Sequence, residues 1–119
     1  MAEDGGSLLD PARLADLMDL ISPAPEPAVD VPSLFSQSTE EDMERLERAV
    51  ANGDADLMVR ALHRIASTAA SAGSEELTRV ARTAHDACGG GDLMTSAQLE
   101  ALRALRDRTH LALKHAFAR

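Results

Sequence analysis

The sequence predicts an all-α protein: an up-and-down four-helix bundle with an additional short N-terminal helix. Three observations carry that prediction. The 119 residues include only two aromatic side chains of the Phe, Tyr and Trp class, Phe35 and Phe117, so a core must be built from Leu, Ala, Val, Ile and Met, a composition that favours helix over sheet. Apolar residues recur at three- and four-residue spacing through each long segment. Glycine and proline interrupt the chain so as to leave one short and four longer helical stretches, with no strand-like alternation and no internal repeat. A chain of this length buries one modest core, which makes a single domain the expectation.

Residues 1–7 read as a flexible lead, and 8–119 as one helical domain that includes a proline-rich connection over 22–32. In "LLDPARLADLMDLISP", Asp10 is placed to cap a helix, and Pro11 stands where a missing N–H costs nothing. Leu14, Leu17, Met18 and Ile21 then form one apolar stripe that ends near Ser22. "SPAPEPAVDVPS" holds four of the five prolines, each removing a donor and restricting the residue before it, so it predicts a linker or crossing loop. The next helix is expected from Ser33 or Ser38 to about Asn52, with Ser38 and Glu41 as a capping signal and Phe35, Thr39, Met43, Leu46 and Val50 along one side. In "NGD", Gly53 is free to turn left-handed and Asp54 to cap a helix over Ala55 to Ala72. Gly73 and Ser74 repeat that stop and start. The fourth helix runs from Glu75 to about Cys88, with Leu77, Val80, Ala81 and Ala84 inward, until "GGGD" ends it. The last helix opens near Ser96 and carries Leu99, Leu102, Leu113 and Phe117 on one side.

Charge and cysteine usage exclude several classes of function. The net charge of −8, with Lys114 the single lysine, argues against a nucleic-acid partner, which would require clustered cations, and favours a protein partner. No apolar run is long enough to cross a bilayer, and "MAEDGGS" lacks the basic and then apolar opening of a secretory signal, so membrane insertion is not expected. The lone Cys88 forms no internal disulfide, and a reducing, cytoplasmic setting fits best.

One residue stands apart. On the Ala55–Ala72 helix, Met58, Ala61, Leu62, Ile65, Ala69 and Ala72 gather on the inward side, and His63 falls well off that stripe. Its surface neighbours are Val59, Arg60, Ala66 and Ser67, with Ala70 a turn further on. Apart from Arg60 they are mostly small, which leaves the imidazole open to a large approaching surface. A free imidazole is mostly neutral at pH 7 and carries a lone pair able to act as a nucleophile. A lone histidine on a helix surface is also commonly just solvated, and periodicity by itself does not separate the two.

Taken in order, "LLDPARLADL", "GDADLMVRALHRIASTAASAG" with Gly73 ten residues past His63, and "ELTRVARTAHDA" resemble the histidine-containing phosphotransfer (HPt) domains of two-component phosphorelays. The resemblance covers most of the chain. It implies that His63 takes a phosphoryl group from the aspartate of a receiver domain and passes it to another response regulator. It also implies receiver domains or a hybrid sensor kinase as partners, with the catalytic magnesium on the receiver and no cofactor on this chain. Two positions depart from the family pattern, Ala66 and Ser67 standing where lysine and then glycine are usual. Arg60 and Arg64 lie within a turn and offer substitute positive charge, though a guanidinium is not an ammonium. Val59, Ala66 and Ala70 are expected to form a small apolar docking patch, with Arg60, Arg64 and Ser67 making polar contacts. No nucleotide-binding motif is apparent, so a phosphocarrier is expected rather than an ATP-dependent kinase. The rival reading is a degenerate docking module of the same fold that regulates a receiver or kinase without transfer.

The remaining candidates read plainly. His85 lies beside the inward side of its helix, and His110 and His115 are five apart, a spacing that does not align two ligands, so no metal site is expected. Cys88 reads as a small helix-terminal residue. The acidic run "TEEDMERLE" reads as a solvated helix face with Glu/Arg pairs.

Overall fold

The computed structural model describes residues 8–21 and 30–118, with only the backbone for 17–21. Among the described residues five α-helices follow in chain order: α1 Pro11–Ile21, α2 Val31–Asn52, α3 Ala55–Ser71, α4 Glu75–Gly89 and α5 Ser96–Phe117. In the bundle α2 packs on α3 and α5, and α4 packs on α3 and α5, closing a ring of four with α1 as the additional short helix. This is the all-α bundle the composition predicts. The expected lead over 1–7, most of the proline-rich connection, and the side chains of Leu17, Met18 and Ile21 lie outside the described residues.

One boundary differs from expectation. α2 begins at Val31 rather than at Ser33 or Ser38, so the connection ends before residue 31 and Pro32 lies inside the helix. Asp30 caps it, accepting from the Ser33 N–H at 3.1 Å and from the Ser33 hydroxyl at 2.7 Å. Proline at the first helical turn is harmless because no intrahelical partner awaits its missing N–H. These bonds hold the Asp30 carboxyl below the usual carboxylate range. Ser38 is therefore mid-helix, its hydroxyl 3.4 Å from that of Thr68 on α3.

The turns form as the sequence dictates. Gly53 is left-handed at φ 63°, its N–H closing the end of α2, and the Asp54 carboxylate accepts from the Leu57 N–H at 3.1 Å to start α3. At the far end Gly73 is left-handed at φ 78°, and Ser74 opens α4. The Ser74 side chain makes no cap bond; its hydroxyl is buried without a partner. Thr95 and Gln98 form a reciprocal capping box at the start of α5.

The core is aliphatic. Met43, Leu46, Met58, Leu62, Ile65, Leu77, Leu102 and Leu113 are fully buried, with Ala49, Ala61, Ala69 and Ala81 where helices come close. Val50, Val80, Ala84, Leu99 and Phe117 pack against it half-buried. Two polar features fasten α5 to α2. Arg106, buried, donates from Nε to Thr39 Oγ1 at 3.0 Å and from Nη2 to the Ser36 carbonyl at 2.6 Å. Arg103 bridges Glu40 and Glu47, and these carboxylates push its guanidinium pKa further up. His110 stacks on Phe35, ring centroids 6.5 Å apart, and burial together with the charge of Arg106 lowers its pKa.

α1 sits across the α3–α4 turn. The Asp10 N–H donates to the Gly73 carbonyl, and Arg13 Nε to the Ser71 carbonyl at 3.3 Å. Leu9 joins the core beneath.

Candidate functional site

α3 turns Met58, Ala61, Leu62, Ile65 and Ala69 fully inward, and a regular helix places His63 opposite them. The ring is exposed in mid-helix and makes no side-chain hydrogen bond among the described residues. Around it Arg60, Arg64 and Ser67 are exposed, and Val59 and Ala70 are half-buried.

Ala66 corrects the sequence expectation. It is 4 % exposed and belongs to the core rather than to a surface patch. The reason is angular: three residues along from His63 is a rotation of about 60° around the helix, which carries Ala66 back to the edge of the buried stripe.

Arg64 is drawn sideways. Its Nε donates to Asp42 Oδ1 at 3.2 Å, and Arg45 Nη1 donates to the same oxygen at 2.7 Å. Asp42 lies on α2 with its side chain 3 % exposed, so two guanidinium groups answer one sequestered carboxylate. Arg60 lines the same flank beside Arg45 and Arg64. Further along the same α2–α3 seam Ser67 and Ser71 border a mainly apolar groove completed by Val31, Leu34 and Phe35 of α2.

The packing of α4 brings in a residue that helical periodicity assigned no role. His85 stands beside His63, ring centroids 5.9 Å apart and planes inclined at 48°. Asp86 Oδ1 lies 3.0 Å from His85 Nδ1. A signal for the pairing exists in the sequence. His63 lies ten residues before Gly73 and His85 twelve after it, and in an antiparallel helix pair positions at similar distances from the turn come level.

The Hpt domain model matches residues 30–117. The chain belongs to the Hpt domain family. The crystal structure of histidine-containing phosphotransfer protein B (HptB) from Pseudomonas aeruginosa superposes with a TM-score of 0.78, covering 90 % of this chain and 91 % of that one at 20 % identity. At that identity the likeness concerns the fold. No curated protein matches the sequence. Family and fold together support a histidine phosphotransfer role in phosphorelays, where Hpt domains work with response-regulator receivers and kinases.

The other candidates of this Hpt domain are placed as follows. Cys88 is buried, its Sγ 3.8 Å from Met58 Sδ. His110 is half-buried and His115 exposed, and among the described residues no three His, Cys, Asp or Glu side chains cluster as metal ligands. No helix of the described residues is long and apolar enough to cross a membrane.

Proposed function

We propose that His63 is the phosphoryl carrier: it accepts a phosphoryl group from a receiver-domain aspartate and relays it to another response regulator. The observation that carries this reading is an exposed imidazole in the middle of the capped helix α3 of an Hpt domain. A lone pair of the ring attacks phosphorus, the N–P bond forms, and the P–O bond breaks with its electron pair leaving on the aspartate. Magnesium and the acidic pocket belong to the receiver in this division, and this chain contributes the nucleophile and a docking face. Val59 and Ala70 supply apolar contact, Arg60 and Ser67 supply polar contact, and Arg64 contributes the charge it does not spend on Asp42. Buried Ala66 supplies room rather than contact.

The test is transfer of acid-labile label from a panel of phosphorylated receivers. The unmodified chain acquires label from at least one receiver, and His63→Gln acquires none. Equal labelling of both refutes the assignment. One observation favours the docking-only alternative: Ala66 stands where the family usually has lysine. That alternative predicts receiver binding without label, and regulation that survives His63→Ala.

A further inference from the structure

We infer that the cleft lined by Arg45, Arg60 and Arg64, on the α2 flank of His63, binds a carboxylate side chain of the docked receiver that lies outside that receiver's phosphorylation pocket, and so selects among receivers. The inference rests on the reading of His63 as the carrier. Arg60 and Arg64 stand within one helical turn of that ring, so a protein seated over it meets them.

The cleft gathers charge against the trend of the molecule. In a chain of net charge −8, three guanidinium groups border one cleft of about 340 Å³, whose remaining walls are Leu57 and Ala61. Arg60 and Arg64 are four residues apart on α3, a spacing at which like charges repel, and Arg45 adds a third cation from α2. Among the described residues one carboxylate answers them. It is the buried Asp42, whose Oδ1 accepts from both Arg45 Nη1 and Arg64 Nε. Asp56 and Glu41, each four residues before Arg60 and Arg45, form no ion pair with them, and Arg60 has no partner among the described residues. Three cations against one anion leave a surplus of positive charge beside His63.

The donors that remain suit a carboxylate. Arg64 spends only Nε on Asp42, its side chain is 65 % exposed, and both of its Nη groups stay open. Arg60 keeps all five guanidinium N–H donors. A guanidinium with open donors takes a carboxylate through two parallel bonds. Asp42 meanwhile ties Arg45 and Arg64 to the α2–α3 seam, so these cations are placed before a partner arrives and less side-chain freedom is lost on docking.

This charge is displaced from the phosphoryl position. Buried Ala66 stands where the family usually has lysine, and His63 has His85 of α4 beside it while the cations lie toward α2. The cleft therefore meets the partner's surface. The net negative charge of the chain repels an acidic partner in other orientations, so a local cationic cleft also steers it.

The experiment measures transfer to the full chain from the phosphorylated receiver that labels it best, between about 50 and 300 mM NaCl. Transfer at limiting receiver falls steeply with salt. Arg60→Glu lowers it about tenfold at low salt, chiefly through a higher half-saturating receiver concentration, and flattens the salt dependence. Arg60→Lys recovers part of the loss, because an ammonium keeps the charge and lacks the fork. Arg108→Glu, on the α4–α5 side of the bundle, makes the same change in net charge and alters transfer less than about twofold. Phosphoramidate, a small donor that needs no docking, labels each variant as the reference for a competent His63. Transfer that ignores salt, an Arg60→Glu chain labelled at the unmodified rate, equal losses in Arg60→Glu and Arg108→Glu, or a parallel loss of phosphoramidate labelling in Arg60→Glu each overturns the inference. If neither phosphoramidate nor any phosphorylated receiver labels His63, the carrier reading itself has failed and takes this one with it.

Discussion

Replacing Gly73 by alanine tests how α1 is held against the end of α3. Two costs are expected. Gly73 is left-handed at φ 78°, where a Cβ costs about 1 kcal/mol. An added Cβ would also lie 2.8 Å from Arg13 Cγ and 3.0 Å from Arg13 Cβ, close to the root of that side chain rather than its mobile end. Relief requires α1 to shift, which weakens the bond from Arg13 Nε to the Ser71 carbonyl and the one from the Asp10 N–H to the Gly73 carbonyl, together worth about 1 kcal/mol at a partly solvated site. Gly53 supplies the control. It is left-handed at φ 63° with nothing within 4 Å of an added Cβ, so Gly53→Ala pays the backbone cost alone. Urea unfolding monitored by circular dichroism should therefore show Gly53→Ala destabilised by about 1 kcal/mol and Gly73→Ala by about 2 kcal/mol, with melting points lower by about 4 and 8 °C. In an Arg13→Ala background, which removes Cγ, part of the gap between the two should close. Equal losses for the two glycine variants, or a gap that Arg13→Ala leaves untouched, would show that the Arg13 contact does not shape this turn.

Further outcomes follow from other contacts. Arg106→Met removes the buried guanidinium that bonds Thr39 and Ser36, and should cost about 2–3 kcal/mol in the same unfolding assay, with α5 loosened in amide exchange. Ser74→Ala deletes a buried hydroxyl that has no partner, so stability should hold or rise by up to about 1 kcal/mol; a loss would reveal a bond at that oxygen. His110 has its pKa lowered by burial and by the Arg106 charge, so the unfolded chain binds the proton more readily. Its contribution is complete above the ordinary histidine pKa and is lost as pH falls through that value, near 6.5, toward the folded-state value. Stability measured from pH 7.5 to 5 should fall less steeply in His110→Gln.

The helices were readable because their cues are local. The Gly53–Asp54 turn, the Gly73 stop and the inward stripe of α3 depend only on residues a few positions apart, and each appears where periodicity and turn chemistry place it. The start of α2 was misread because proline is both a breaker and a favoured first-turn residue. Asp30 decides between those roles, and it stands before Pro32 rather than beside Ser33. Ala66 shows the limit of a helical wheel, since a position on the edge of a stripe is exposed or covered according to how closely the next helix approaches.

By itself the sequence determined the helical class, the turns and an outward His63, because these follow from backbone sterics and from spacing along one helix. Only the tertiary structure decided that Arg64 answers a buried Asp42 on α2, that Arg106 is drawn into the α2–α5 seam, and that His85 stands beside His63. Those contacts join residues on different helices, at separations set by how the helices pack, and a pattern along the chain carries no direct measure of that distance.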